Sequence, residues 1–323
     1  MAKSPRYLVT GGAGFIGSNI VEALVRRGER VRVLDNFSTG RRSNLTGYGD
    51  VVEVVEGDIR DVDACRRAAR GIEVVFHQAA LASVPRSLKD PITVHDVNVN
   101  GSMAVLVGAR ECGARRVVYA SSSSVYGARE GLPRIEDDPP EPLSPYAASK
   151  LAVEFYLYVY FASQGLETVA LRYFNVFGPR QDPNSQYAAV VPSFLSQLLD
   201  GKAPTIYGDG EQTRDFTYID NVVLGNLLAA DAPAAAGRMM NLACGDRFSV
   251  NYLFDRLAQL TGSSLRPKYE PGRAGDVPHS QADIARATEL LGYTPAVTFE
   301  EGLRRTVEWQ REQERNRAKA AKA

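Results

Sequence analysis

The stretch RYLVTGGAGFIGSNIVEALVRRGERVRVLD, residues 6–35, limits the possible folds more than any other part of the chain. An apolar run ends in closely spaced glycines, an amphipathic helical pattern starts at once, and a second β-rich run follows. This is a strand–turn–helix–strand unit, whose strands can pair in parallel when the helix crosses one face of the sheet. The alternation continues, with strand candidates at 51–58, 72–80, 115–122, 168–175 and 239–244. Helical patterns lie between them, including Thr93–Cys112 and Pro145–Gln164. The expected fold class is therefore α/β, a doubly wound parallel sheet. From about Val176 the pattern loosens into FGPRQDPNSQYAAVVPSF and KAPTIYGDGEQTRDF, read as pieces of a smaller C-terminal α/β substrate lobe. The expected division is 1–175 for the sheet, with 215–245 returning to it, and 176–214 plus 246–323 for the lobe.

A chain of 323 residues that is 44% hydrophobic can bury a large core. Its 38 basic and 38 acidic residues balance to a net charge of zero and are scattered, so no basic face for nucleic acid or an anionic membrane is expected. Cys65, Cys112 and Cys244 are odd in number and far apart, which fits thiols in a reducing compartment and predicts a cytoplasmic location. No apolar run approaches the roughly 20 residues of a membrane span. The opening MAKSPRYLVT lacks the apolar core of a signal peptide. His77, His95 and His279 lack metal-ligand spacing and are read as structural or supporting residues; no metal is expected.

Gly11, Gly14 and Gly17 form a G-x-x-G-x-x-G turn between the first strand and its helix. Glycines let the backbone turn sharply and approach a pyrophosphate, while the helix start presents unpaired N–H groups to its charge. The turn alone is equally compatible with a purely structural role. Asp35 tips the balance: it ends the second strand about 20 residues further on, where a carboxylate accepts both ribose hydroxyls of an adenosine. NAD is thus expected over NADP, although Arg41 and Arg42 leave a phosphorylated cofactor open. Asp58 stands at the next strand end and is either an adenine contact or the cap of the following helix.

In SPYAASK, Tyr146 and Lys150 are four residues apart and share a helix face. Alone, the spacing fits a solvated helix start as well as a reactive pair. At least one of Ser121 to Ser124 should lie at the carboxyl edge of the preceding strand, and a hydroxyl there completes a proton relay. A tyrosine of ordinary pKa near 10 is a poor base unless positive charge favours phenolate, which Lys150 and an oxidised nicotinamide supply. These segments together point to hydride transfer between NAD and an alcohol carbon.

With these motifs in place, the chain resembles the extended short-chain dehydrogenase/reductase superfamily, and within it the UDP-hexose 4-epimerases, closest to those acting on UDP-N-acetylglucosamine. The resemblance runs from TGGAGFIG to HSQADIARATELLGY. It implies a Rossmann domain in which Ser122, Tyr146 and Lys150 are catalytic, Lys150 holding the nicotinamide ribose and lowering the tyrosine pKa. It implies NAD contacts from Gly11, Gly14, Phe15, Ile16, Gly17, Asp35, Asn36, Ser38, Gly40, Asp58, Ile59, Gln78, Ala79, Ala80, Asn98 and Phe174, with Tyr146 and Lys150. For the UDP-sugar it implies Ser83, Ser122, Ser123, Tyr146, Asn175, Val190, Val191, Tyr207, Arg214, Arg273, Asp276 and Ser280. Guanidinium groups suit a diphosphate because they stay charged and present paired donors. A surface ion pair is the plain alternative for each arginine, above all for Arg214 beside Asp215.

Two positions narrow the activity. Related dehydratases carry an acidic pair after the catalytic hydroxyl, where this chain has Ser123 and Ser124, so loss of water is disfavoured. Ser280 stands where epimerases confined to non-acetylated sugars have tyrosine, so UDP-GlcNAc and UDP-GalNAc should interconvert, together with UDP-Glc and UDP-Gal. The alternatives are a UDP-glucuronate epimerase or decarboxylase, whose carboxylate site cannot be assigned, and a non-catalytic NAD sensor. The resemblance also implies a homodimer built on Thr93–Cys112 and Pro145–Gln164.

Overall fold

In a computed structural model that describes residues 5–183, 189–272 and 277–320, seven parallel strands form one sheet. They are β1 (Tyr7–Thr10), β2 (Val31–Asp35), β3 (Val52–Glu56), β4 (Val74–His77), β5 (Arg116–Ser122), β6 (Glu167–Tyr173) and a seventh strand, Arg238–Leu242. In space the seventh strand lies at one edge, followed by β6, β5, β4, β1, β2 and β3. Order reverses between β1 and β4, the crevice where open α/β sheets gather ligands beyond their strand ends. β1 and β4 are buried along their whole length, as continuous apolar runs in parallel strands require, whereas edge strand β3 alternates with exposed positions.

The helices used below are α1 (Phe15–Arg26), α2 (Val62–Ala69), α3 (Val84–Lys89), α4 (Pro91–His95), α5 (Gly101–Glu111), α6 (Pro145–Gln164), α7 (Val190–Leu199) and α8 (Ile219–Asp231). Ile20 and Leu24 of α1 pack with Val222 and Leu227 of α8 on one sheet face. Ala64 and Ala68 of α2, Leu106 of α5 and Val153 and Leu157 of α6 pack on the other. Burying such side chains is the main force holding both layers to the sheet. No helix among the described residues is long and apolar enough to cross a membrane.

The helix expected at Thr93–Cys112 is interrupted. Asp90 caps α4 through the Thr93 N–H at 3.1 Å, and a π-turn at Asp96–Asn100 separates α4 from α5. Asn98 explains the interruption: its side chain accepts from Leu81 N–H at 2.8 Å and donates to Ser149 Oγ of α6 at 3.0 Å. π-turns collect at functional sites, where a side chain must be re-aimed.

Beyond β6 the described residues form three small two-stranded pairings, 176–177 with 217–218, 205–207 with 268–270 and 213–214 with 248–249. Phe299 joins two of them, with its ring 4.5 Å from that of Phe248 and 5.7 Å from that of Phe177. This part is pinned to the sheet beside the glycine turn. Arg180 pairs with Glu22 and donates to Ser18 O at 3.0 Å, and Arg41 pairs with Asp182 at 2.8 Å.

Candidate active site

The glycine turn is shaped by conditions only glycine meets. Gly11 has φ +66, and a Cβ there would lie 2.8 Å from the Ala79 backbone. A Cβ on Gly17 would be driven into the Gly11 carbonyl. Gly14 caps α1, whose first intrahelical bond is Ser18 N–H to Gly14 O at 3.0 Å, so the N–H groups of Phe15, Ile16 and Gly17 precede it. The turn opens on a cavity of about 380 Å³ that gathers most of the cofactor positions expected from the sequence: Gly11, Gly14, Phe15, Ile16, Gly17, Asp35, Asn36, Ser38, Gly40, Asp58, Ile59, Gln78, Ala79 and Ala80. A dinucleotide fits this donor set: N–H groups and helix dipole for the pyrophosphate, carboxylates for the adenosine.

Asp35 is oriented by backbone, its two oxygens accepting from Ala13 N–H at 2.9 Å and Phe37 N–H at 2.8 Å. Arg41 and Arg42, which left NADP open, are committed to Asp182 and to Glu56 at 2.6 Å. Negative charge at the ribose end with both arginines engaged favours the unphosphorylated cofactor. Of the two roles considered for Asp58, the cap is not formed. Asp61 caps α2, accepting from Asp63 N–H, while Asp58 binds the Arg60 guanidinium at 2.8 Å and Asn36 at 2.9 Å. Arg60 holds that carboxyl down to about 2.

Ser122 ends β5, and α6 begins under a Ser144 cap that accepts from Ala147 N–H at 3.1 Å, with Pro145 in its first turn. This start turns Tyr146 and Lys150 toward the strand end. The Ser124 hydroxyl donates to Ser122 Oγ at 2.9 Å, and Ser122 lies near enough to Tyr146 to favour its phenolate. Lys150 is 3% exposed; its Nζ donates to Ala120 O at 2.8 Å and lies 4.8 Å from the Tyr119 ring centroid and 5.9 Å from that of Tyr146.

In the chain by itself, burial raises the Tyr146 phenol above its ordinary value and Ser122 opposes that rise; the sequence expectation joins Lys150 to an oxidised nicotinamide. Burial lowers Lys150 itself to about 7, with Glu154 resisting. The reason is desolvation, the ammonium being buried and held by a hydrogen bond to Ala120 O. His77 is a structural residue. Its ring bonds Thr10 Oγ1 at 2.7 Å and Ser102 Oγ at 2.8 Å, and burial lowers it to about 3.

Three further cofactor or substrate positions, Phe174, Ser83 and Asn98, line neither cavity. Phe174 is fully buried with Tyr126 and Ala243, away from the cofactor cavity. Ser83 caps α3, accepting from Arg86 N–H at 3.2 Å, because Val84 and Pro85 start a helix there. Asn98 is spent on Leu81 and Ser149, which places it under the cofactor loop as a brace. Ser123 opens the short turn after β5.

A second cavity of about 280 Å³ brings together Asn175, Val190, Val191, Tyr207 and Arg214. Asn175 has φ +27, a left-handed conformation rare for a non-glycine residue, and its Nδ2 donates to Ser280 Oγ at 3.2 Å. The Arg214–Asp215 pair is not formed: Asp215 is fully buried and accepts from Cys244, Gly245 and Ala282 N–H groups at 3.0, 3.0 and 3.2 Å. Burial raises its carboxyl to about 6. Arg273 and Asp276 lie outside the described residues. No group of three or more His, Cys, Asp or Glu side chains able to hold a metal occurs among the described residues.

Sequence reasoning missed Glu154 and Arg172. The Arg172 guanidinium meets the Glu154 carboxylate through two bonds of 2.7 and 3.0 Å, both side chains buried, and Ser121 Oγ donates to Glu154 at 2.5 Å. Glu154 follows Lys150 by one helical turn, so the spacing Tyr-x-x-x-Lys-x-x-x-Glu was a readable signal. Its partner on β6 was not.

A model of the NAD dependent epimerase/dehydratase family matches residues 7–243. The UDP-glucose 4-epimerase of Mycolicibacterium smegmatis is 42% identical over 308 residues, spanning 94% of this chain and 98% of that protein. The UDP-glucose 4-epimerase of Thermotoga maritima, solved with UDP-glucose, is 39% identical with a TM-score of 0.91, covering 95% of this chain and 99% of that one. The UDP-N-acetylglucosamine 4-epimerase of Methanobrevibacter ruminantium, solved with UDP-N-acetylmuramic acid, is 40% identical with a TM-score of 0.91, covering 97% of this chain and 100% of that one. With these similarities over the glycine turn, the Ser122–Tyr146–Lys150 wall and the second cavity, the chain belongs to the NAD-dependent epimerase/dehydratase family.

Proposed function

We propose that this protein is a UDP-sugar 4-epimerase that interconverts UDP-GlcNAc with UDP-GalNAc, and also UDP-Glc with UDP-Gal, using NAD. The observation that carries this reading is the position of Ser122. Strand β5 lies between β4, whose following loop lines the cofactor cavity, and β6, which leads into Asn175 of the second cavity. Ser122 thus ends the strand lying between the two elements that lead into the cavities, although Ser122, Tyr146 and Lys150 line neither cavity themselves.

Bound NAD supplies a hydride acceptor and donor and, when oxidised, a positive ring. The proton steps fall to the chain. Ser124 donates to Ser122 Oγ, which leaves the Ser122 hydroxyl hydrogen for Tyr146 or a sugar oxygen. Tyr146 takes the proton of the C4 hydroxyl and later returns it, and the Lys150 ammonium opposes the cost of phenolate in a packed site. Asn175, Val190, Val191, Tyr207 and Arg214 anchor the nucleotide while the hexose turns over. Ser123 and Ser124 are too weakly acidic to protonate a departing hydroxyl, so oxidation is followed by simple reduction.

Ser280 supports use of the acetylated pair. It is small, half-buried and accepts from Nδ2 of Asn175, a residue that lines the second cavity. Parallel NMR assays of the acetylated and plain UDP-sugar pairs, with and without added NAD, test the reading. Isomer formation in both pairs is expected; no turnover of the acetylated pair ends the Ser280 argument, and none of either pair ends the epimerase assignment.

The protein is further read as a cytoplasmic homodimer. Its three cysteines are free thiols. Leu88 of α3, Ile92 of α4 and Phe155 and Tyr158 of α6 are 64%, 79%, 65% and 61% exposed, an apolar face suited to a second copy of the chain. Light scattering should give twice the mass of one chain and Phe155→Asp should halve it; a monomeric wild type contradicts this.

A further inference from the structure

We infer that Glu154, clamped by the Arg172 fork, is a positioning residue that fixes the Lys150 ammonium and the end of β5 beneath Tyr146. The inference rests on the epimerase reading and deepens it, assigning a charge that the mechanism above does not use.

Glu154 is 4% exposed and makes three bonds, all inward: two from Arg172 at 2.7 and 3.0 Å and one from Ser121 Oγ at 2.5 Å. Ser121 directly precedes Ser122, and Ala120, one residue earlier, accepts the Lys150 ammonium at 2.8 Å. One carboxylate on α6 therefore grips the strand that carries both the catalytic hydroxyl and the lysine's acceptor. An ion pair buried this deeply contributes little stability beyond what apolar packing would give, so its retention asks for another role.

The groups facing Lys150 can be taken element by element. Tyr146 and Glu154 approach along α6, the Tyr119 ring and the Ala120 carbonyl from β5, and His77 from β4. Glu154 supplies the negative charge in this set, and it opposes the burial that strips Lys150 of its proton. Arg172 stands behind Glu154 and holds it in one rotamer. Without Glu154 the ammonium loses its counter-charge and Arg172 is left unpaired in the core.

The test is a pH titration of protein carrying [13C]lysine, with the Lys150 resonance assigned by its disappearance in Lys150→Met. In Glu154→Gln the midpoint should fall by about one pH unit or more. In Glu154→Gln/Arg172→Met, where the uncompensated positive charge is also gone, it should recover part of that fall. The variants' kcat should drop about tenfold, with the alkaline limb of the pH profile moved to lower pH and KM for the UDP-sugar unchanged. An unmoved Lys150 midpoint in Glu154→Gln overturns the inference, as does a double variant that falls further. Should Glu154→Gln fail to fold, the double variant must still titrate below wild type, and a midpoint equal to wild type overturns the inference. Because the titration needs no turnover, a wild type that fails to epimerise overturns the proposed function separately.

Discussion

The cofactor cradle and the proton-transfer wall stand on the same edge of one sheet but are made of opposite materials. The cradle is backbone: three glycines, the first N–H groups of a helix, and a carboxylate held by two further N–H groups. The wall is side chain: Tyr146 half-buried, Lys150 and Glu154 buried, and Arg172 reaching in from β6. Backbone donors carry no ionisable charge, so the glycine turn itself is insensitive to pH and intolerant of added atoms, while the Asp58 side chain beside it responds to acid. The wall tolerates small changes of volume better, but each of its charges has a burial cost that depends on protonation.

The sharpest way to break this contrast is Tyr146→Phe. Removing one hydroxyl from the wall should lower kcat about a thousandfold while NAD binding and melting temperature stay near wild type. Activity within a factor of a few of wild type, measured by UDP-sugar isomer formation, removes tyrosine from its role. Gly17→Ala makes the converse change. One methyl group aimed at the Gly11 carbonyl should weaken NAD binding by roughly tenfold or more in a direct titration, leaving Ser122 and Tyr146 in place. Unchanged affinity would mean that the turn does not hold the pyrophosphate.

The smallest effect sharpens the comparison through pH. Lys150 falls from 10.5 to about 7 on folding, so between those values the unfolded chain binds more protons and this residue's contribution to stability rises with pH. Lys150→Met should flatten that rise in melting temperature. Asp58 of the cradle falls from 3.8 to about 2, so its contribution is present above pH 4 and is lost as pH drops toward 2. Asp58→Asn should therefore change the profile only at the acid end. Interchanged behaviour of the two variants contradicts the division.

The same contrast explains what could be read from the sequence. The cradle was legible because glycine spacing, a strand end and a helix start are local, and Asp35 falls a fixed distance beyond them. The Ser122, Tyr146 and Lys150 wall was legible for the same reason, each residue marked by its position in one element. What failed depends on distant partners. Arg172 and Glu154 belong to separate segments and find each other only through the β5–β6 pairing. The spacing of Tyr146 and Lys150 made their proximity visible, but not the burial that raises the phenol in the chain by itself. Phe174 and Ser83 were assigned by resemblance, and local packing placed one in the core and the other on a helix cap. Asn98 bent a helix that periodicity drew as continuous.

The central claim is that C4 is oxidised and then reduced by the hydride it gave up, with the chain moving only protons. Turnover of UDP-glucose in D2O, followed by NMR of the product isomer, tests it most directly. The account predicts UDP-galactose with hydrogen retained at C4 and no net gain of NADH. Deuterium at C4, or no isomer at all in the presence of NAD, would contradict it.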